Sequence, residues 1–227
     1  MTTKMQGMGP GQGFWTLLSK NDQDALTALG RIRVFPAGAT MCTEGEPTTH
    51  VFILVTGWVK ILAVTNDGRE LMLALRGQGD IVGEIAGVAG GFRTATVEAV
   101  DAVRALIVVY DRFGSFLDSH PGAARAYRQV MTLRWNDAAS TLRSHALASG
   151  SQRLARLLLE LTDWYGTVAA GTMPLSQDEL ASLVGMSRAT VTRALSNWRA
   201  RGFVKTGQRH ITILDLAGLR KVAGQER

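Results

Sequence analysis

Six cations, Arg188, Arg193, Arg199, Arg201, Lys205 and Arg209, lie within positions 180–214, a window without a single Asp or Glu. An uncompensated field of this kind attracts phosphate, and the arginine fork can pair at two points with a phosphate or with the major-groove edge of guanine. A solvated helix face is the alternative, yet such faces intersperse Glu with Lys, whereas all but one of these cations are Arg. Far upstream, Glu84 and Arg93 bracket a second chemical stretch, Gly83-Glu84-Ile85-Ala86 followed by Gly90-Gly91-Phe92-Arg93-Thr94. Its glycine-rich backbone is suited to turning amides toward an anion. Taken alone, a Glu and an Arg at a loop are more often a structural ion pair than a ligand site.

The cations need elements that present them. Ser176 and Glu179 stand at capping-box spacing, so the Ser hydroxyl accepts the third helical amide while the Glu reaches back, and a helix is expected from Gln177. Leu180, Ala181, Leu183 and Val184 give it an apolar face, and Gly185 ends it by supplying a positive φ. Ser187 then caps a second helix in which Val191, Ala194, Leu195 and Trp198 recur at three- and four-residue spacing. That side is buried, which turns Arg188, Ala189, Thr192 and Arg193 toward a partner, with Ser187 and Thr190 at the helix start. Small Ala181 and the corner at Gly185 are what a helix-turn-helix requires. Phe203-Val204-Lys205 and residues 211–214, joined by a Thr206-Gly207-Gln208-Arg209 turn, add a β-hairpin wing that carries Lys205 and Arg209. The pattern predicts a winged helix-turn-helix on double-stranded DNA.

The 227-residue chain carries a net charge of +6, most of it in the last third, and its 46% hydrophobic content is enough for real cores. Cys42 is the only cysteine, which excludes an internal disulfide and suits a reducing compartment. No apolar run has the length of a signal or a membrane span, so a cytoplasmic protein with no membrane partner is expected. Residues 1–13 show no periodicity and are expected to be a flexible arm; Phe14, Leu17, Leu18, Ala25, Leu26 and Leu29 suggest short helices. Positions 32–109 are short apolar runs cut by turn residues, with strands expected at 50–54, 58–64, 70–75 and 105–110, a hairpin turn at Asp67-Gly68 and a loop of small residues at 80–86. Such strands close into a barrel or jelly roll that can hold one small ligand.

From Pro121 a helix is expected to run to Ala148, roughly 40 Å at 1.5 Å per residue. Tyr127, Val130, Met131, Ala138, Leu142 and Ala146 mark an apolar seam along it that suits dimerisation, and Ser149-Gly150-Ser151 a hinge. A helix over 152–165, with Leu154, Leu157, Leu158 and Leu161 as its core face, opens the last domain, and 166–174 is expected to be a loop. The expected fold is α+β: an arm over 1–13, a β-roll effector domain over 14–120, a dimerisation helix over 121–149 and a winged helix-turn-helix over 150–227.

This order of parts, with GEIAGVAGGFRTATV in the β-rich half and LVGMSRATVTRAL in the reader, resembles the CRP/FNR family. The resemblance implies a bacterial transcriptional regulator, a homodimer that binds a palindromic operator and works with RNA polymerase. It also implies control by a small effector in the β-roll, cyclic AMP or another cyclic nucleotide. In cyclic-nucleotide-binding members the residue matching Glu84 holds the ribose hydroxyl, and those matching Arg93 and Thr94 hold the cyclic phosphate, with Gly83 and Ile85 adding backbone contacts. A carboxylate accepts from a hydroxyl, and a guanidinium with a hydroxyl donates to phosphate oxygens. By ungapped counting back from Arg153, the family's base-contacting pair falls on Ala138 and Ala139, which offer no hydrogen bond; Ser140 and Thr141 take that role only in a register shifted by two. In the reader, Arg188 and Arg193 match base-contacting arginines, while Ala189 replaces the usual glutamate and offers apolar contact, for instance to a thymine methyl. A different operator follows.

Other chemistries are poorly served by these residues. Cys42 alone cannot hold an iron-sulfur cluster, and His50, His120, His145 and His210 form no axial-ligand pattern for haem. An enzyme in a cupin-like barrel needs clustered metal ligands, and the barrel offers His50 with scattered acids. No metal, haem or catalysis is expected. The alternative function is a constitutive DNA-binding regulator whose sensor domain is vestigial or differently liganded.

Overall fold

The computed structural model describes residues 13–65, 68, 70–89, 91–165, 172, 173, 175–207 and 210–224, without the side chains of 87–89, 140–147, 163–165 and 172. The expectations for an arm at 1–12, for the turn at Asp67, for a loop at 166–171 and for Arg209 lie outside the described residues. So do those for the side chains of Ser140, Thr141, Leu142, His145 and Ala146. The chain divides into two units, Pro10–Arg134 and Trp135–Arg227, so the boundary falls inside the long helix.

The first unit opens with a 3-10 turn over Phe14–Leu17 and helix α1 over Lys20–Leu29, whose N-cap Ser19 accepts from the Asp22 amide. Then come β1 (Arg31–Phe35), β2 (Thr40–Cys42), β3 (His50–Thr56), β4 (Val59–Val64), β5 (Glu70–Arg76), β6 (Ile81–Val82), helix α2 (Glu84–Ala89), β7 (Thr96–Ala99), β8 (Val103–Val109) and helix α3 (Tyr110–Ser119). The strands form two antiparallel sheets, ordered β1-β8-β3-β6 and β2-β7-β4-β5. Alternate residues turn inward, and Phe35, Phe52, Leu54, Val103 and Ala105 of one sheet meet Met41, Val59, Val97 and Ala99 of the other in a single core. This is the expected β-roll.

Two details differ from expectation. Tyr110 is not strand: it begins α3, which buries Phe113 and Phe116 ahead of the helix expected at Pro121. No Gly or Pro separates β8 from α3, and Val109 supplies no capping side chain; the helical spacing of Tyr110, Phe113, Phe116 and Leu117, packed on β3 and β8, makes this helix. Nor is 80–86 a loop, because β6 and α2 occupy it; β6 pairs with β3, and Gly83 turns the corner at φ 79°.

Helix α4 spans Pro121–Leu147. Within the first unit it buries Ala123, Ala126 and Val130, and the Tyr127 ring packs edge-on to Phe14 and Phe113 at 6.2 and 5.8 Å between centroids. Tyr127 and Val130, expected in a dimer seam, are therefore occupied inside the chain. In the second unit α4 continues with Trp135 and Ala138 exposed.

Residues 148 and 149 break the helix, and Ser149 caps α5 (Gly150–Tyr165) through a reciprocal pair with Gln152, so the break is shorter than the hinge expected at Ser149-Gly150-Ser151. α5 buries Leu154, Leu158 and Leu161, with Leu157 half-buried. Next are β9 (Thr172–Met173), α6 (Gln177–Val184), α7 (Arg188–Ala200), β10 (Val204–Gly207), β11 (His210–Ile213) and α8 (Leu216–Val222). The winged helix-turn-helix is present, with two additions. β9 falls in the expected loop and extends the hairpin into a sheet ordered β10-β11-β9, Met173 lying opposite Ile211. Asp215 caps α8 through the Gly218 amide, and α8 packs on α5 with Leu219 and Ala223 buried.

Candidate functional site

In the β-roll, Glu84 and Arg93 are both buried but do not pair with each other. The Arg93 guanidinium lies over the Phe52 ring, donating from Nη1 to the Gly83 carbonyl at 2.9 Å and from Nη2 to the His50 carbonyl at 2.8 Å. Its loop is pinned by backbone bonds from Arg93 to the Glu46 carbonyl and from Thr48 to the Gly91 carbonyl. Among the described residues no carboxylate lies within ion-pair distance of Arg93, and three of its five N–H donors are left for another acceptor. Gly83 has to be glycine here, because a Cβ at its positive φ would run into Arg93 Nη1.

Glu84 instead receives Arg134 of α4, whose Nη1 donates to Oε1 at 2.5 Å while Nη2 donates to the Ile81 carbonyl at 2.7 Å. Asp80 Oδ1 lies 3.6 Å from Nη2, close enough for Coulomb attraction and too far for a hydrogen bond. Buried Arg134 Nε and Asp80 Oδ1 have no hydrogen-bond partner among the described residues. Thr94 and Ile85 are exposed. Arg134 was absent from the expected site, although its spacing from Tyr127, Val130 and Met131 puts a cation on the apolar stripe of α4. A charge in such a stripe signals a buried partner. Burial first, then the positive charges of Arg93, Arg33 and Arg31, hold His50 below its ordinary pKa; burial pushes the Cys42 thiol up, which keeps it unreactive.

In the second unit the reader forms from local signals. The Ser176 hydroxyl accepts from the Glu179 amide at 3.2 Å, Glu179 Oε2 accepts from the Ser176 amide at 2.7 Å, and Gly185 closes α6 at φ 61°. Ser187 caps α7 by accepting from the Thr190 amide at 3.3 Å, and the two hydroxyls lie 2.9 Å apart, so both residues serve the helix start. Val191, Leu195 and Trp198 are buried, while Ser187, Arg188, Ala189, Thr190, Thr192, Arg193 and Lys205 are exposed. Two of these exposed side chains have partners beyond the acid-free window. Arg188 Nη1 is 3.3 Å from Asp178 Oδ2, and the Thr192 hydroxyl donates to Gln177 Oε1 at 2.5 Å. Arg201 stacks on Phe203 at 4.3 Å, which commits that cation to the wing. Among the described residues no group of three or more His, Cys, Asp or Glu could hold a metal ion, and no helix is long and apolar enough to cross a membrane.

Comparison with known proteins finds the same two parts. A cyclic nucleotide-binding domain matches residues 32–120, and a Crp-like helix-turn-helix domain matches residues 152–222. The chain is 32% identical over 185 residues to a CRP-like cAMP-activated global transcriptional regulator of Mycobacterium tuberculosis, covering 80% of this chain and 83% of that one. It is 26% identical over 209 residues to the cyclic AMP receptor protein of Thermus thermophilus, covering 91% and 94%. Among solved structures, the c-di-GMP responsive global regulator CLP of Xanthomonas campestris superposes with a TM-score of 0.73 over 87% of this chain and all of that one. At 22% identity, that likeness shows the fold alone.

Proposed function

Because this chain belongs to the CRP/FNR family of transcriptional regulators, we propose that it is a homodimer whose α7 helices enter the major groove of a palindromic operator under control of a cyclic nucleotide in the β-roll. The observation that carries the effector reading is Arg93: a buried guanidinium held by two carbonyls and a ring face, with no carboxylate beside it among the described residues. A buried cation is costly unless an anion joins it, and a cyclic phosphate supplies one. The open N–H groups of Arg93 and the Thr94 hydroxyl would hold the phosphate. Glu84 would accept the ribose hydroxyl beside the unpartnered Nε of Arg134. On the DNA side, Arg188, Ala189, Thr192 and Arg193 face the bases, and Lys205 contributes to the phosphate field.

Calorimetry with cyclic AMP and cyclic GMP, with and without operator, tests the switch. Arg93→Ala should lower nucleotide affinity at least about tenfold, given roughly 1.5–3 kcal/mol for a charge-assisted hydrogen bond. By linkage, nucleotide should raise operator affinity by the same factor that operator raises nucleotide affinity. No heat with either nucleotide up to about millimolar would leave a different effector or a constitutive regulator, and binding without a change in operator affinity would remove the switch.

A further inference from the structure

We propose that Asp178 and Gln177 are positioning residues for the base-reading face of α7: Asp178 fixes the Arg188 guanidinium for a two-point contact with guanine, and Gln177 anchors Thr192 beside it. The proposal rests on the reading of α7 as the recognition helix. Arg188 and Thr192 are four residues apart and so share one face of α7, while their partners are neighbours at the start of α6. Two adjacent contacts onto one helical face hold its side chains in direction as a single contact cannot. α6 can provide them because the Ser176–Glu179 capping box fixes its first turn.

The ion pair joins Nη1 of Arg188 to Oδ2 of Asp178. Of the guanidinium donors this leaves the Nε–Nη2 edge free, and that edge matches O6 and N7 of guanine. Ala189 gives α7 no carboxylate of its own next to Arg188, and positions 180–214 hold none; the acid beside Arg188 is the one that α6 brings. The side chains are 70% and 62% exposed, so the pair adds little to stability. Its effect is to order a long side chain before DNA arrives, a cost otherwise met on binding. A carboxylate placed here also repels phosphate, which weakens sequence-indifferent binding and widens the gap to the right site.

In vitro selection from randomised duplex DNA with the full chain, run with and without cyclic AMP, tests this. The wild-type protein should enrich guanine at the position read by Arg188 in each half-site. Asp178→Asn should bind unselected DNA more tightly and lower that guanine preference about three- to tenfold, the effect of leaving one long side chain unordered. Asp178→Glu should restore part of the preference. An Asp178→Asn protein that binds unselected DNA more tightly but keeps its guanine preference overturns the proposal, since Asp178 then acts as charge alone. Arg188→Ala separates the layers: if it leaves the same position unchanged, the placement of α7 itself is wrong. If it erases the preference while Asp178→Asn does not, the positioning role alone fails.

Discussion

Arg134 and Glu84 keep 13% and 2% of their side chains exposed, so their contact has little water to fall back on. Arg134→Met leaves the Glu84 carboxylate buried without a cation, and the expected loss is about 3–5 kcal/mol. Adding Glu84→Gln should recover most of it, because no charge is then stranded; urea unfolding of the four proteins completes the cycle. His50 reports on the same pocket. Its imidazole is held below 6.5 by burial and then by the three arginines, so the stability it contributes is present above pH 6.5 and lost as pH falls through the depressed folded value. An anion on Arg93 cancels part of that field, and cyclic AMP should therefore raise the His50 pKa in an NMR titration. A value unmoved by saturating nucleotide would put the phosphate elsewhere. Tyr127 works at the other end of the scale: burial and then Glu84 push its phenol up to about 12. The stability it contributes is complete below its ordinary value of 10.0 and lost as pH climbs through the raised one, and Tyr127→Phe should remove that alkaline component of unfolding.

At the scale of elements, the reader depends on its ends. Ser176→Ala removes the acceptor of the Glu179 amide and should destabilise the second unit by about 1 kcal/mol. Arg153 of α5 fastens two other ends: Nε donates to the Val184 carbonyl that closes α6, and Nη1 to the Ala148 carbonyl just past α4, both at 3.0 Å. One side chain thereby ties three helices, using carbonyls that helix ends leave open. Arg153→Ala should cost about 2 kcal/mol and speed hydrogen exchange selectively around α6 and α7. Uniform exchange across the unit, with no local change there, would show that packing rather than Arg153 holds the junction.

For the whole molecule, the proposed dimer turns on α4. Trp135 is 76% exposed on α4, next to a stretch whose seam continues in sequence through Ala138 and Leu142. Under the homodimer proposed above, this bare aromatic is a candidate contact with the second copy of the chain. If α4 is the seam of the proposed dimer, Leu142→Asp would set like charges against each other across it, and sedimentation should then show a monomer at micromolar concentration, with operator binding failing alongside. A variant that stays dimeric would move the interface off α4. Lys205→Ala, by contrast, should weaken all DNA alike and reduce the salt slope by about one.

The winged helix-turn-helix was legible because its signals are short-range. A Ser and a Glu at capping spacing, a glycine with positive φ, a 3.6 period in α7 and an acid-free run of arginines all act within a few residues of themselves. The β-roll was legible for the same reason, from turn residues that punctuate its strands. What those signals could not carry is partner choice between distant segments. Glu84 and Arg93 are close in sequence and look like a pair, yet the fold turns one toward Arg134, fifty residues on, and the other toward two carbonyls. Helix α8 and strand β9 lacked a pattern strong enough to announce them, and they form because α5 and β11 offer surfaces to cover. Asp178 stood just outside the charge window, and only the crossing of α6 over α7 brings it to Arg188. Local sequence therefore determined most of the elements and what chemistry they hold, while the packing of those elements decided which charged groups meet, because burial and side-chain direction are properties of the assembled fold.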